Sequence, residues 1–295
     1  EMKVQTCSSC GAELVSDGNT MATECAYCGS PNMIPSRFDD MLRPDYIIPF
    51  QKTKQDAIAA LKAFYGDGLR KYILPNAFTA EKRLKEIQSM YVPFWLFDSK
   101  VYARASFHAE SDSVHETADE IITETRHYSC ERSGSMAFER IPVDGSERMD
   151  DQYMESIEPF DYSALVPFSA AYFTGHLADK YDVDAEQSAP RADKRVHESA
   201  VGVLEDTVTG YDRCALDGEA SVIKEDGSVS YAMVPVWILT TRYKDKPYTF
   251  MMNGQTGKVV GSVPIDKAKV MLYSVISAVL SIPVFYYLAK YLLSD

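Results

Sequence analysis

Four cysteines near the amino terminus constrain this chain more than any other feature. They form two Cys-x-x-Cys pairs, Cys7 with Cys10 and Cys25 with Cys28, separated by fourteen residues. Tetrahedral zinc is bound by four thiolates at about 2.3 Å, and two tight turns joined by a short hairpin can supply them. A glycine follows the second cysteine of each pair, which suits such turns. The sequence therefore predicts one structural zinc ion (Zn2+) held by all four cysteines, with no coordination position left for water.

Two disulfides or a Cys-x-x-Cys redox centre are the alternatives at this site. A module of about forty residues buries too little apolar surface to fold alone, so metal binding would supply most of its folding free energy. Six cysteines in 295 residues is an ordinary density and does not by itself indicate a secreted disulfide scaffold. Residues 1–44 are therefore predicted to form a metal-dependent domain.

The two cysteine pairs resemble the knuckles of a zinc ribbon of the rubredoxin or TFIIB type. The resemblance rests on Cys-x-x-Cys-Gly, beginning at Cys7, and on Cys-x-Tyr-Cys-Gly-Ser, beginning at Cys25. Ribbons of this kind bind nucleic acid in some proteins and only protein surfaces in others. Residues 1–45 carry three basic and seven acidic side chains, which disfavours phosphate contacts. We therefore expect the ribbon to contact protein.

A weak internal repeat marks the body of the chain, which follows the cysteine pairs. Its two copies are Tyr-Val-Pro-Phe-Trp95 and Met-Val-Pro-Val-Trp237, each entering an alternating stretch typical of a strand. A Pro-Phe pair precedes each copy, at Pro49 and at Pro159, and helical sequence follows each pair. The predicted fold class is α+β, with two related units, each carrying helices on a curled antiparallel sheet.

Local patterns place the elements of these units. Apolar spacing predicts helices at 54–65, 79–90 and 184–204. Alternating runs on either side of Ser133-Gly134 and of Asp226-Gly227 predict two hairpins.

Residues 248–261 are predicted to form strand, tight turn and strand. Their pattern, Tyr-x-Phe-x-x-Asn-Gly-x-Thr-Gly-Lys-Val, resembles a segment of PepSY-like and cystatin-like modules. Those modules bind or restrain other proteins and carry no catalytic machinery, so the resemblance implies a binding role. A phosphate loop in this segment is excluded, because the GxxxxGK[ST] spacing and the following helix are absent.

A group of titratable side chains within nine residues is the main candidate for a second metal or for acid–base chemistry. Its members are His108, Glu110, Asp112, His115 and Glu116. Alternation places the first three on one face of a strand. No helical HExxH spacing occurs, and a solvated loop explains the same residues. A metal-assisted hydrolase around His108 and His115 is therefore kept as the second alternative function.

The remaining cysteines and histidines form no recognisable catalytic set. His127 lies near Cys130, but no third group can be assigned to orient it, so a buried structural thiol is favoured over a nucleophile. Cys214 is isolated, and His176 and His197 lie beside helical sequence, where packing or surface roles are expected. No catalytic residue is predicted.

Residues 270–289 form a run of twenty residues without a charge, long enough to cross a bilayer as a helix. Lysines and tyrosines near both ends are typical of interfacial anchors. A buried amphipathic helix is the alternative, since Ser274, Ser277 and Ser281 dilute the apolar run. The same serines also mark a face on which another transmembrane helix, including that of a second copy of the chain, would pack.

The predicted division is ribbon 1–44, first unit 45–150, second unit 151–265, and transmembrane helix with a short tail 266–295. The lipid bilayer is then a partner, and localisation is single-pass at the cell membrane. No signal peptide precedes the ribbon, and reduced thiols agree with a cytoplasmic body. Because the sequence starts with Glu before Met and stops soon after the run, a fragment that lacks a second span stays an open alternative.

Charge is distributed unevenly. The net charge of -13 argues against a surface that binds polyanions throughout. Residues 46–100 nevertheless hold nine basic and five acidic side chains, whereas residues 101–200 have a net charge of -12. The basic segment 52–85 would suit anionic lipid, an acidic partner or the acidic half of the chain itself. Nucleic-acid binding through the ribbon and this segment is the first alternative function.

The ribbon, the body motifs around Trp95 and Asn253, and the hydrophobic carboxy-terminal run together resemble a family of bacterial membrane-tethered zinc-ribbon proteins. Its members are often labelled TFIIB-type zinc-finger or primosomal replication-helicase-like proteins, and some are encoded beside phage-shock protein A and SPFH-domain proteins. A helicase is excluded, since the phosphate loop and acidic metal-binding motif are absent. The resemblance implies a non-enzymatic membrane-anchored adaptor for phage-shock-protein-A-like or SPFH-like partners in envelope-stress or membrane-remodelling assemblies.

Overall fold

The structure of the chain is a computed structural model that describes residues 3–16, 24–30, 33–36, 43–68, 70–116, 120–149 and 151–292. Within them the chain forms a twelve-stranded mixed sheet and seven α-helices. The strands are β1 (Lys3–Cys7), β2 (Glu13–Ser16), β3 (Met33–Ser36), β4 (Tyr46–Ile47), β5 (Gln88–Glu116), β6 (Ile121–Asp144), β7 (Val166–Pro167), β8 (Leu177–Asp179), β9 (Arg213–Leu216), β10 (Ser221–Tyr243), β11 (Lys246–Asn253) and β12 (Val259–Gly261). The helices are α1 (Lys54–Gly66), α2 (Arg70–Ile73), α3 (Asn76–Thr79), α4 (Glu81–Leu84), α5 (Asp151–Ile157), α6 (Ala185–Asp206) and α7 (Lys267–Leu292).

The long antiparallel strands β5 and β10 form the centre of the sheet. The order from one edge is β12-β11-β10-β5-β8-β2-β1-β3, and β6 and β9 also pair with β5. Residues 90–97 and 231–240 are buried throughout, so both strands are covered on both faces. Phe94 and Val234 enter one apolar cluster, and Tyr91 and Met233 enter another.

The two tryptophan motifs do not form two separate sheets. Val92 of the first motif lies directly opposite Val234 of the second, so β5 and β10 join both copies in one mixed sheet. The prediction of one antiparallel sheet for each unit is therefore wrong. The physical reason is burial: each apolar run is covered on both faces, so it pairs as a central strand with the other run.

Matching hydrogen bonds relate the two halves about an approximate two-fold axis at this pair of valines. Trp95 Nε1 donates to the carbonyl oxygen of Val183 at 2.8 Å, and Trp237 Nε1 donates to that of Lys52 at 2.9 Å. Val183 directly precedes the N-cap of α6, and Lys52 directly precedes the N-cap of α1. Each tryptophan therefore fixes the start of the helix that belongs to the other half of the sequence.

Two glycines extend the same correspondence. Gly145 N donates to Pro93 O at 2.9 Å, and Gly254 N donates to Pro235 O at 2.8 Å. Each glycine carbonyl accepts from the two residues that precede a helix N-cap. A Cβ atom on Gly254 would lie 2.6 Å from the Phe50 ring, so the close approach requires glycine.

The strand register also changes which segments correspond. β4 lies parallel on β10 with Ile47 opposite Met233, and β8 lies parallel on β5 with Ala178 opposite Tyr91. The counterpart of the segment before α1 is therefore β8 and the residues after it, and the predicted match with Pro159-Phe160 is wrong. The sequence does not show this correspondence, because the segment before α1 has Pro-Phe50 where its structural counterpart has Lys-Tyr181.

Two predicted helices are confirmed as α1 and α6. Both begin with a capping box, in which the N-cap side chain and the third helical residue exchange hydrogen bonds. The pairs are Thr53 with Asp56 and Asp184 with Gln187. Pro190 lies inside α6 without ending it.

Two predicted hairpins and one predicted helix are wrong. β6 continues through Gly134 and β10 through Gly227, because β5 pairs along the length of both strands. Gly227 is needed inside its strand, since a Cβ atom there would lie 2.9 Å from Asp98 O. The predicted helix 79–90 reduces to α4 followed by the start of β5, whereas the strand-turn-strand at 248–261 is confirmed.

The carboxy-terminal helix α7 docks on the body through its first turns. Lys269 Nζ donates to Leu74 O at 2.7 Å, and Tyr273 packs edge-on against Tyr72. Further along the helix, Leu280 is exposed.

Among the residues that the structure describes, no helix has both the length and the apolar character needed to cross a bilayer. The predicted transmembrane helix at 270–289 is therefore wrong, and those residues belong to α7, whose charged first turn is attached to the body. The single-pass localisation, the bilayer as a partner and self-association through that segment lose their basis with it.

Candidate metal centre

Each cysteine pair folds into the same backbone turn. Gly11 N donates to Cys7 O, and Gly29 N donates to Cys25 O, both at 2.8 Å. The two glycines have φ angles of 75° and 66°, in the left-handed region that favours glycine. The repeated turn brings the thiols of each pair to one side, where they face the other pair.

The four sulfur atoms converge, all within 4.8 Å of one another. The Sγ atoms of Cys7 and Cys28 are 3.7 Å apart, as are those of Cys10 and Cys25. Four thiolates at about 2.3 Å from a tetrahedral ion are separated by about 3.8 Å, whereas a disulfide bond is about 2.05 Å long. All four cysteines are free thiols. The geometry therefore contradicts the disulfide alternative and shows four cysteines that could bind a metal ion together.

The thiols differ in their tendency to ionise. Burial raises the pKa of Cys7, but hydrogen bonds from the backbone at Cys10 and Ser9 outweigh it and lower that pKa to about 7. Burial raises the pKa of Cys25 well above its usual value. Since thiolates are the ligand form, a cation is needed to hold all four sulfurs ionised together.

The main-chain oxygens of the second knuckle accept hydrogen bonds from side chains of β10. Thr240 Oγ1 donates to Ala26 O at 2.5 Å, and Arg242 Nη1 donates to Cys28 O at 3.2 Å. A Cβ atom on Gly29 would lie 3.0 Å from Thr240 O. On the other side, β2 pairs with β8, so the cysteine centre continues the sheet of the body.

Arg83, which belongs to the basic segment 52–85, contacts the cysteine region. Its Nη1 atom lies 2.5 Å from a carboxylate oxygen of Glu24 and of Glu86, and its Nη2 atom donates to Thr240 O. Burial lowers the pKa of Arg83, but the two carboxylates outweigh this and raise it. At this residue the basic segment pairs with the chain's own acidic groups.

A buried carboxylate lies beneath the second knuckle. Asp179 is fully buried, and neither of its carboxylate oxygens completes a hydrogen bond of normal geometry. Burial raises the pKa of Asp179 to about 7, while the hydroxyls of Tyr27 and Ser146, which face it, act in the opposite direction. Tyr27 lies between the two cysteines of its knuckle. Sequence reasoning missed this group, because only the pairing of β2 with β8 brings it near the cysteines.

The candidates on β5 lie in two different places. Register confirms that His108, Glu110 and Asp112 share one face, and it places His127 of β6 opposite Glu110. The imidazoles of His108 and His127 and the carboxylate of Glu110 lie within 4.8 Å of one another. His115 lies further along β5, so the structure does not bring His108 and His115 together as the hydrolase hypothesis required.

Of the other single residues, Cys130, Cys214 and His176 pack against apolar or aromatic side chains. Cys130 is buried in the apolar cluster beneath α6, on the face of β6 opposite to His127. Burial raises the pKa of Cys214. The His176 ring stacks on Phe50 with centroids 4.5 Å apart, and His197 is exposed on α6.

Fold and site together define an α+β protein built on one mixed sheet, with a docked four-cysteine site of the double-knuckle type. Over 242 residues the chain is 36% identical to the Bacillus subtilis (strain 168) protein described as "Uncharacterized protein YdjG", an alignment that covers 81% of this chain and 69% of that protein. The chain belongs to the same family as YdjG. No protein-family model matches it, and neither does any solved structure.

Proposed function

We propose that the four cysteines bind one structural zinc ion and that the protein is a non-enzymatic adaptor that binds partner proteins. The observation that supports zinc is the set of four sulfurs at tetrahedral spacing. Tetrahedral S4 sites suit zinc or iron, and a site whose four positions are all filled by protein ligands has a structural role.

The metal is tested on the purified full chain by elemental analysis combined with X-ray absorption. We expect zinc with four sulfur neighbours at about 2.3 Å, and its loss in the Cys25→Ser variant. A matched Cys214→Ser variant, which changes a cysteine outside the site, should keep the metal. Iron in the sulfur site would replace zinc in this proposal, and oxidised, metal-free cysteines would contradict it.

The adaptor role is supported by charge and by exposed apolar residues. The acidic amino-terminal region is a poor surface for phosphates. At the end of the β5–β6 pair, Val114 and Ile121 are exposed on one face and Ile122 is exposed on the other, with 63%, 70% and 49% of their surfaces accessible. Clustered exposed apolar side chains are typical of protein contacts. The family resemblance adds phage-shock-protein-A-like and SPFH-like proteins as candidate partners.

Affinity capture with the full chain tests this role when Ile121→Lys is compared with Ser135→Lys. Both changes add one positive charge at an exposed position of β6, and only the first alters the apolar end. We expect the first variant to lose partners that the second retains. Equal recovery by both would show that the end of β5–β6 is not the contact surface. Salt-dependent retention of DNA or RNA would instead favour the nucleic-acid alternative.

A further inference from the structure

We propose that His108, Glu110 and His127 form a second metal site, which binds one divalent transition-metal ion independently of the four cysteines. The three side chains lie on the exposed face of the sheet formed by β6, β5 and β9. Two imidazoles and one carboxylate are a ligand set that suits zinc and its neighbours in the first transition row.

The register of β5 with β6 brings the three ligand side chains together. Glu110 lies opposite His127 on β6 and opposite Arg213 on β9. His108 lies two residues before Glu110 on the same face, which makes it the diagonal neighbour of His127. The other face of these strands packs against α6 through Phe107 and neighbouring apolar residues, so the ligand positions belong to a rigid part of the fold.

The distances between the ligand atoms fit a single ion. His108 Nε2 and His127 Nδ1 are 3.1 Å apart, and Glu110 Oε1 lies 3.4 Å from the first and 3.2 Å from the second. A triangle with these sides has a circumradius of about 1.9 Å, slightly below the usual zinc–ligand distances of about 2.0–2.2 Å. An ion at bonding distance from all three atoms therefore fits slightly out of their plane.

The carboxylate is oriented by a second layer of contacts. Arg213 Nε donates to Glu110 Oε2 at 2.6 Å, which leaves Oε1 directed at the imidazoles. Arg213 is itself held by Asp112, whose carboxylate accepts from both of its terminal nitrogens. Such outer contacts fix ligand orientation in metal sites, and Asp112 offsets the arginine charge.

The proposed ion would have three protein ligands and solvent in its remaining position. The side chains of His108 and His127 are 48% and 58% exposed, so water reaches the site directly. This differs from the cysteine centre, where protein sulfurs fill every position. The competing explanation for the short nitrogen–nitrogen distance is a hydrogen bond between one neutral imidazole and the other, with no ion.

Metal counting on the full chain separates these explanations. With the cysteine site loaded, dialysis against buffered Zn2+ should leave two equivalents on the wild type and on His115→Gln, but one on His127→Gln. His115 is a matched control, because it is an exposed histidine of β5 outside the cluster. We expect the second equivalent to bind at least about 100-fold more weakly in His127→Gln.

Imidazole nitrogen NMR supplies a second measurement. Added Zn2+ should shift the ring nitrogens of His108 and His127 and leave those of His115 unchanged. A wild type that holds one equivalent with no such shifts, or a His127→Gln variant that still holds two, would overturn the proposal. Neither result bears on the cysteine site. The zinc at that site is counted separately, by its selective release with a thiol-blocking mercurial.

Discussion

At the scale of single residues, Asp179 is the side chain whose environment least suits its charge. It is fully buried, neither of its carboxylate oxygens completes a hydrogen bond of normal geometry, and burial raises its pKa to about 7. The folded-state pKa thus exceeds the unfolded value of about 3.9. The fold therefore prefers the neutral acid, and the group destabilises the protein increasingly as pH rises from about 4 to about 7, with no further change above that.

Replacing this carboxyl group should remove the pH dependence. We expect Asp179→Asn to raise the free energy of unfolding by roughly 2–4 kcal/mol at about pH 8 and to leave it nearly unchanged at about pH 4. Urea unfolding at both pH values measures the difference. The control is Asp217→Asn, which changes an exposed aspartate. A variant less stable than wild type at the higher pH would show that the ionised carboxylate is required.

The two knuckle glycines allow backbone strain to be separated from crowding. Both have positive φ, but a Cβ atom on Gly11 would meet nothing within 4 Å, whereas one on Gly29 would lie 3.0 Å from Thr240 O. Gly11→Ala should cost about 1–2 kcal/mol through the left-handed conformation alone. Gly29→Ala should cost more and should also weaken metal retention against a chelator. Equal costs would mean that the contact with β10 is not tight.

At the scale of elements, the tryptophan hydrogen bonds couple each half of the sequence to a helix of the other half. Trp95→Phe leaves the carbonyl of Val183 without its donor, and Trp237→Phe does the same for Lys52, each costing about 1–3 kcal/mol. Hydrogen exchange should show faster opening at the start of α6 in the first variant and of α1 in the second. Faster exchange at the helix nearer in sequence would contradict the crossed arrangement.

Elements whose signal is local could be predicted from the sequence. The knuckles follow from Cys-x-x-Cys-Gly spacing, and α1 and α6 follow from apolar periodicity after a good N-cap. The strand boundaries predicted at Gly134 and Gly227 were wrong, because a glycine inside a paired strand gives the same local sequence signal as a turn. The face shared by His108 and Glu110 was predictable from alternation, whereas His127 was not, because only the register of β5 with β6 places it there.

At the scale of the whole molecule, one sheet joins parts that are distant in sequence. β5 and β10 bring the two tryptophan motifs together, β8 links β5 to β2, and β2 leads to the cysteine centre. The second knuckle is also tied to β10 by Thr240 and Arg242. Metal binding should therefore affect the stability of the body as well as that of the cysteine region.

Removing the metal with a chelator should accordingly lower the temperature at the midpoint of thermal unfolding of the body. This midpoint is measured by the fluorescence of Trp95 and Trp237, which lie in the two central strands. Binding energy that is specific to the folded state adds to its stability, and the contacts with β10 transmit it to the sheet. Thr240→Val removes the hydrogen bond to Ala26 while keeping the size of the side chain, so it should reduce the difference between the metal-loaded and metal-free midpoints. Arg140→Gln, which changes an exposed arginine on β6, should leave that difference unchanged. If metal release leaves the tryptophan transition of the wild type unchanged, the cysteine centre and the sheet unfold independently.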